Sequence, residues 1–153
     1  MPEGTMRART CFVAAAVFGG LHAASSIYWG LGGDALLDTV GATADQFEGR
    51  RWMLAVIGGG KAVAAIAPLA LFLRGDAGRA LRGAMWAGAA VLTFWGAANT
   101  VTSALLAAGV LPRPESYDRT ATLGHALLWD PLFLAWGLAL ATGLWASRHR
   151  ESP

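Results

Sequence analysis

The chain carries too little charge to cover the surface of a soluble domain. Only 14% of its 153 residues are charged, 55% are hydrophobic, and the mean hydropathy is +0.45. Soluble domains average about 25% charged residues. The net charge is +2, and the basic residues stand in short groups beside apolar runs. Nucleic acid is therefore not expected as a partner, and the length predicts a single domain.

Reactive groups and nucleotide-binding motifs are equally scarce. The single cysteine, Cys11, excludes an intramolecular disulfide. Phosphate loops, nucleophile elbows and dinucleotide fingerprints are absent from the sequence. Two histidines and an aspartate lie in apolar segments, but without a tight spacing such as HxxxH. Neither a metal nor a cofactor is expected.

Four apolar segments predict an all-α protein, an integral membrane four-helix bundle. A spanning helix needs about 20 mostly apolar residues. The predicted spans cover residues 11–31, 52–73, 84–111 and 122–146, and an outer loop covers residues 32–51. Apolar residues alternate with acids in this loop. The alternation favours either a short helix on the membrane surface or an ordered lid over the bundle.

The arginines predict which way the spans face. Seven basic residues lie on the side of both termini, namely Arg7, Arg9, Arg74, Arg79, Arg82, Arg148 and Arg150. Four lie on the other side, namely Arg50, Arg51, Arg113 and Arg119. By the positive-inside rule both termini are expected to be cytoplasmic. Trp29, Trp52, Trp86 and Trp145 are expected at the membrane interfaces, near the ends of the spans.

The expected location is the bacterial cytoplasmic (inner) membrane, as a multi-pass protein. Eleven arginines stand against one lysine, a composition typical of GC-rich bacterial genomes. A cleavable signal peptide ending near Ser25 is the less favoured alternative, because the apolar run continues to Leu31.

Polar residues from all four spans are predicted to meet in one layer. His22, Lys61, Asn99 and Asp130 lie 10 to 14 residues from the outer charged ends, or roughly 15–20 Å deep at about 1.5 Å per residue. Ionisable residues within spans usually face the bundle interior or a watery cavity.

Specific partners follow for these side chains. Lys61 and Asp130 are predicted to form an ion pair, since each is costly alone in hydrocarbon. His22 is expected to bond Asn99 or Asp130. Pro131 is expected to kink the last span.

Three further residues complete the set of candidate ligand- or proton-binding residues, namely His125, Trp129 and Tyr28. His125 shares a helix face with Trp129 at i, i+4 and is expected at the outer interface. Tyr28 closes the list of candidate ligand- or proton-binding residues. Gly58-Gly59-Gly60 and the Ala84-xxx-Gly88 pair indicate close helix packing, with dimerisation as a lesser alternative.

Two motifs carry a family resemblance. Residues 21–22 and 28–33 read LH and YWGLGG, and residues 129–137 read WDPLFLAWG. They resemble the DUF3995 group of uncharacterised bacterial four-helix membrane proteins. In that group a His…Tyr-Trp-x-Leu-Gly-Gly stretch ends the first helix, and a Trp-Asp-Pro-x-Phe-Leu-x-Trp-Gly stretch lies in the last. The resemblance implies the same fold and topology and implies no activity.

Three hypotheses for function remain open. The first is binding or transport of a small lipophilic or cationic ligand, or of a proton, from the lipid bilayer. Asp130 would bear the charge, with Lys61 as its counter-ion and His22 and Asn99 as orienting partners. Transport by so few helices would require a homodimer.

The second hypothesis is a structural or accessory subunit in which the Lys61–Asp130 pair only locks the packing. The third is a small intramembrane lipid-modifying enzyme, isomerase-like, that works by general acid–base chemistry. The third predicts a cavity that reaches His22 and Asp130 and opens toward lipid.

Overall fold

The protein is built from four long helices. The computed structural model describes residues 3–75 and 78–148, apart from the side chain of Thr43; Arg150, which entered the orientation argument, lies outside these ranges. The long helices are α1 (Glu3–Gly30), α3 (Trp52–Arg74), α4 (Arg79–Ala107) and a fourth helix, Arg119–Ala146. The fourth helix consists of α5 (Arg119–Gly124), a π-helical segment (His125–Trp129) and α6 (Asp130–Ala146). A 3₁₀ turn (Leu37–Val40) and the short α2 (Ala42–Asp45) lie between α1 and α3.

Each long helix is long and apolar enough to cross a membrane. Within the described ranges the chain forms no β-strand. The predicted all-α fold with four spanning helices is therefore confirmed, and the protein is a multi-pass membrane protein.

Three helix ends differ from the predicted spans by at least four residues, and one of them is the start of α4, at Arg79 rather than at residue 84. α1 begins at Glu3, eight residues before the predicted start at residue 11. The added residues include Arg7 and Arg9, and arginine is a good helix former whose long side chain reaches the interface from within a helix. α4 ends at Ala107 rather than at residue 111. Gly109 adopts φ +73° there and turns the chain away.

The helices pack in the order α3–α1–α6–α4. α1 contacts both α3 and α6, and α4 contacts α6. The side between α3 and α4 is open, although these two helices follow each other in sequence. We call the end that holds residues 31–51 and 108–118 the loop end, and the end that holds Glu3, residues 74–79 and Ser147 the terminal end.

Glycines set the closeness of two of these contacts. A Cβ added to Gly58 on α3 would lie 2.8 Å from the backbone N of Ile27 on α1. A Cβ at Gly96 on α4 would lie 2.4 Å from the backbone N of Leu134 on α6. Only glycine permits such an approach between backbones.

Of the two small-residue patterns, one packs in part as predicted and the other does not. Gly58 packs as predicted, whereas a Cβ at Gly59 or Gly60 would meet no atom within 4 Å. The prediction for Ala84-xxx-Gly88 is wrong within this chain, because Gly88 also meets nothing within 4 Å. Its face of α4 looks onto the open side.

The loop between α1 and α3 covers the loop end as a lid. Leu37, Val40 and Phe47 pack against a buried cluster of Trp29, Leu54 and Trp129. The lid also presses on the fourth helix, where a Cβ at Gly124 would lie 2.3 Å from the Thr39 carbonyl oxygen. Of the two alternatives for this loop, the ordered lid is confirmed.

Candidate functional site: a polar cavity under the lid

A cavity of about 300 Å³ lies under the lid, between the long helices. Every long helix and the lid contribute to its wall. The lining residues are His22, Ser26, Trp29, Leu37, Val40, Ala44, Phe47, Leu54, Ile57, Lys61, Trp95, His125, Trp129, Asp130 and Phe133. The predicted layer therefore exists for His22, Lys61 and Asp130, which share one cavity. The enzyme hypothesis expected a cavity that reaches both His22 and Asp130, and this part of its expectation is met.

On the α1–α3 side of the cavity, Lys61 binds two side chains of α1. Its Nζ lies 3.2 Å from Nδ1 of His22 and donates to Oγ of Ser26 at 3.0 Å. Ser26 in turn donates to the carbonyl oxygen of His22, one helical turn back. α1 and α3 are packed together, so these are the acceptors that Lys61 reaches first.

This geometry determines the tautomer of His22. An ammonium group only donates, so Nδ1 of His22 accepts and its hydrogen stays on Nε2. His22 is 6% exposed, and its Nε2 has no hydrogen-bond partner in the described part of the chain. A buried N–H donor without a partner is costly, and such groups often mark functional sites.

On the fourth helix, His125 pairs with Asp130. Nδ1 of His125 lies 2.9 Å from Oδ2 of Asp130, whose side chain is only 3% exposed. A carboxylate only accepts, so Nδ1 of His125 donates this hydrogen bond. The ring of His125 is also hydrogen-bonded to the backbone of Val40 in the lid.

The π-helical segment makes this pair possible. In a regular α-helix, residues five apart point about 140° away from each other around the axis. The segment His125–Trp129 has the wider i→i+5 turn, which brings residues five apart onto the same face. π turns of this kind occur frequently at functional sites.

The π segment lies directly before Pro131, where the sequence predicted a kink in the helix. Proline cannot donate the backbone hydrogen bond of a regular α-turn. Here the helix widens over the five residues before Asp130-Pro131. The expected disturbance is thus a local π turn.

The predicted Lys61–Asp130 ion pair is wrong. Lys61 bonds to His22 and Ser26, and Asp130 bonds to His125 of its own helix. Lys61 and Asp130 both line the cavity without approaching within ion-pair distance. His125, expected at the outer interface, is instead part of the cavity wall, with a side chain 35% exposed.

Aromatic rings form much of the remaining wall. The ring centroids of His22 and Phe133 are 4.0 Å apart, and those of Trp29 and Trp129 are 5.0 Å apart. Nζ of Lys61 lies 5.6 Å from the centroid of Phe133, a cation–π distance. The wall is therefore apolar and rigid around a few polar groups.

Two indole groups tie this wall to the lid. Trp129 donates from Nε1 to Oγ1 of Thr39 at 2.9 Å, and Trp29 donates to the carbonyl oxygen of Ala35 at 2.8 Å. Trp29 is only 4% exposed, so the prediction that it lies at the lipid interface is wrong. Its N–H binds the lid where interfacial tryptophans bind water or headgroups.

Two predicted candidates lie outside the cavity. Asn99 donates to the carbonyl oxygen of Trp95 on its own helix, so the expected bond to His22 is not formed. Tyr28 is 48% exposed, and its ring packs where a Cβ of Gly33 would lie. Tyr28 therefore shapes the turn at the end of α1.

Residues not predicted as part of the site include Phe133 in the wall, and Thr39 of the lid, which binds the wall residue Trp129. Thr39 comes from the lid, and its sequence context gives no signal for a partner 90 residues away. Phe133 follows Trp129 at i+4, a spacing that places both on one helix face. That spacing could have identified it. The described residues hold no group of three His, Cys, Asp or Glu side chains arranged to bind a metal.

The two motifs of the sequence meet around this cavity. Residues 28–33 form the corner where α1 meets the lid, and Gly30 allows close contact with Ala55 on α3. Residues 129–137 supply the cavity wall, and Gly137 allows close contact with Thr93 on α4. Both motifs thus combine packing glycines with wall residues.

Comparison with known proteins gives one finding. No curated protein and no solved structure matches the chain. A family model described as "Protein of unknown function (DUF3995)" matches residues 8–140, which include both motifs. The resemblance noted in the sequence is confirmed, and the chain belongs to the DUF3995 family of proteins of unknown function.

Proposed function

We propose that the protein binds a small, mostly apolar molecule that carries one anionic or hydrogen-bond-accepting group. The observation that carries this proposal is the cavity of about 300 Å³ with Lys61 in its wall. An ammonium group has three N–H donors, and two of them are bonded within the described residues. The third is left for a ligand.

The balance of charges in the wall favours an anionic or neutral ligand over a cation. Asp130 is 2% exposed and already accepts from His125. Lys61 is half-buried, and both its partners are neutral when the hydrogen of His22 is on Nε2. The charged group in the wall that still has an unused hydrogen-bond donor is therefore Lys61, which favours a ligand with an acceptor or an anionic group.

The ligand enters from the lipid, on the open side between α3 and α4. Two wall residues, Ile57 on α3 and Trp95 on α4, are exposed at the surface of the bundle. At the loop end the lid closes the cavity. An apolar ligand that partitions into the bilayer reaches the cavity by this side without crossing water.

A thermal-shift screen tests the proposal. The purified protein is heated with ligands that share one carbon skeleton and end in a carboxylate, a primary amide or an amine. Carboxylates, and to a lesser degree amides, are expected to raise the melting temperature of the wild type. The shift is expected to vanish in Lys61→Met and to persist in Asp130→Asn. A larger shift with the amine, lost in Asp130→Asn, would contradict the proposal.

Acid–base catalysis is a second candidate, favoured by the His125–Asp130 pair. A buried carboxylate that holds the imidazole through Nδ1 orients Nε2 as a general base, once the ring exchanges its bond with the Val40 backbone for the substrate. Proton abstraction next to a carbonyl held by Lys61 is the reaction class that fits. Exchange of ligand hydrogens with deuterated solvent, abolished in His125→Gln, would support it. A bound ligand that exchanges no hydrogen would exclude it.

The arginine distribution supports a bacterial inner-membrane location with both termini in the cytoplasm. Reporter fusions to the C-terminus and to the 110–117 loop test this orientation. A periplasmic C-terminus would contradict it. The Lys61–Asp130 pair that the accessory-subunit hypothesis invoked as a lock is not formed, and Lys61 instead links α3 to α1 through His22 and Ser26.

A further inference from the structure

A second concave surface lies on the open side of the bundle, toward the terminal end. It is a groove of about 540 Å³ between α3 and α4, and its floor is formed by Trp136 and Leu140 of α6. Its lining is apolar throughout.

The groove has the depth of one membrane leaflet. On α3 the lining runs from Leu71 to Val63, and on α4 from Leu81 to Leu92. These stretches of nine and twelve residues rise about 12 and 16 Å from their first to their last residue. Half of the hydrocarbon core of a bilayer is about 15 Å. The groove therefore fits the acyl chain of a lipid in the leaflet at the terminal end.

Two arginines flank the mouth of this groove. Arg74 follows Leu71 by three residues, Arg79 precedes Leu81 by two, and both arginines are exposed. A third, Arg82, donates to the carbonyl oxygen of Leu144 and so holds α4 on α6. The segment 74–82 contains three arginines and one acid, which gives the mouth a positive charge.

We propose that this groove binds one acyl chain of an anionic phospholipid, and that Arg74 and Arg79 bind the phosphate. A cluster of basic residues just beyond a spanning helix attracts anionic headgroups. A second copy of the chain fits this face less well. A two-fold dimer across the groove would bring the arginines of both copies together, and like charges repel. This proposal is independent of the cavity under the lid.

The groove can be filled without disturbing the bundle. A Cβ at Gly88 would meet no atom within 4 Å, so Gly88→Leu places a side chain in the groove. Gly83 on the same helix is equally open and does not line the groove. Gly83→Leu is therefore the matched control, since both substitutions raise helix propensity alike.

Native mass spectrometry of the detergent-purified protein provides the test. The probes are dioleoyl phosphatidylglycerol and dioleoyl phosphatidylcholine. Wild type and Gly83→Leu are expected to retain the anionic lipid, and Gly88→Leu is expected to lose it. Arg74→Gln and Arg79→Gln should each weaken binding of the anionic lipid about fivefold. The double variant should weaken it about 30-fold. Binding of the zwitterionic lipid should change little in the arginine variants.

Two results would overturn the proposal. Equal retention of both lipids by the wild type would show that the arginines do not select an anionic headgroup. A wild-type dimer that Gly88→Leu converts to a monomer would show that a second copy fills the groove.

Discussion

Replacing Gly96 by alanine tests whether the close approach of α4 to α6 holds the cavity wall in place. The added Cβ would lie 2.4 Å from the backbone N of Leu134 and 2.8 Å from the carbonyl oxygen of Asp130. Ordinary contacts begin at 3.4 Å. The two helices must therefore separate by about 1 Å (3.4 − 2.4), which forfeits a quarter to a half of the dispersion energy along the contact.

The matched control is Gly88→Ala on the same helix. Its Cβ meets nothing within 4 Å, so it gains the helix propensity of alanine without a steric cost. The difference in unfolding free energy between the two variants therefore isolates the packing term. Overpacking a close contact typically costs about 1–3 kcal/mol. Gly96→Ala is expected to be less stable than Gly88→Ala by that amount.

Titration with sodium dodecyl sulfate in mixed micelles, followed by circular dichroism, measures this difference. Gly96→Ala should also weaken ligand binding in the cavity, because the displaced backbone carries Asp130. If Gly96→Ala unfolds at the same detergent fraction as Gly88→Ala, the α4–α6 contact is not as close as described. The argument about the cavity wall would then fail.

Three further predictions concern the pairs around the cavity and the lid. His125→Leu leaves the buried Asp130 carboxylate without its donor and should lower the unfolding free energy by about 1.5–3 kcal/mol; an unchanged titration would refute the pair. Trp129→Phe removes the hydrogen bond to the lid, worth about 1 kcal/mol. It should speed maleimide labelling of a cysteine placed in the lid. An unchanged labelling rate would show that this hydrogen bond does not hold the lid in place. Arg51→Gln breaks an exposed ion pair of 2.7 Å with Asp34 and should cost less than about 1 kcal/mol; a loss above 2 kcal/mol in the same titration would contradict this.

The sequence predicted the depth of the polar residues better than their partners. Depth follows from a rise of about 1.5 Å per residue, and His22, Lys61 and Asp130 do line one cavity. Partners depend on the rotation of each helix about its axis. The π segment changes that rotation for His125 and Asp130, and no local pattern predicted it. The predicted bond between Asn99 and His22 was wrong for a related reason. The side chain of Asn99 donates instead to the carbonyl oxygen of Trp95 on its own helix, which is closer.

The lid shows a second limit of prediction from the sequence. Alternating apolar residues and acids predicted that the loop has one buried face, which fits a surface helix or a lid equally well. The choice was made by contacts across the chain. Thr39 accepts from Trp129, and its backbone rests on Gly124. Neither contact leaves a signature within the loop itself.

The packing order of the helices constrains how the chain is assembled during synthesis. α1 and α6 lie side by side, yet α1 is synthesised before α3 and α4, and α6 after them. α3 can pack against α1 as soon as it is made, whereas α4 must wait for α6 to supply its partner surface. Until then the Gly96 face of α4 and the cavity-facing side of Lys61, away from its partners on α1, are open to lipid or to the insertion machinery. The nascent protein therefore passes through a three-helix stage that cannot yet enclose its polar residues, and truncation before Asp130 is expected to leave an intermediate prone to degradation.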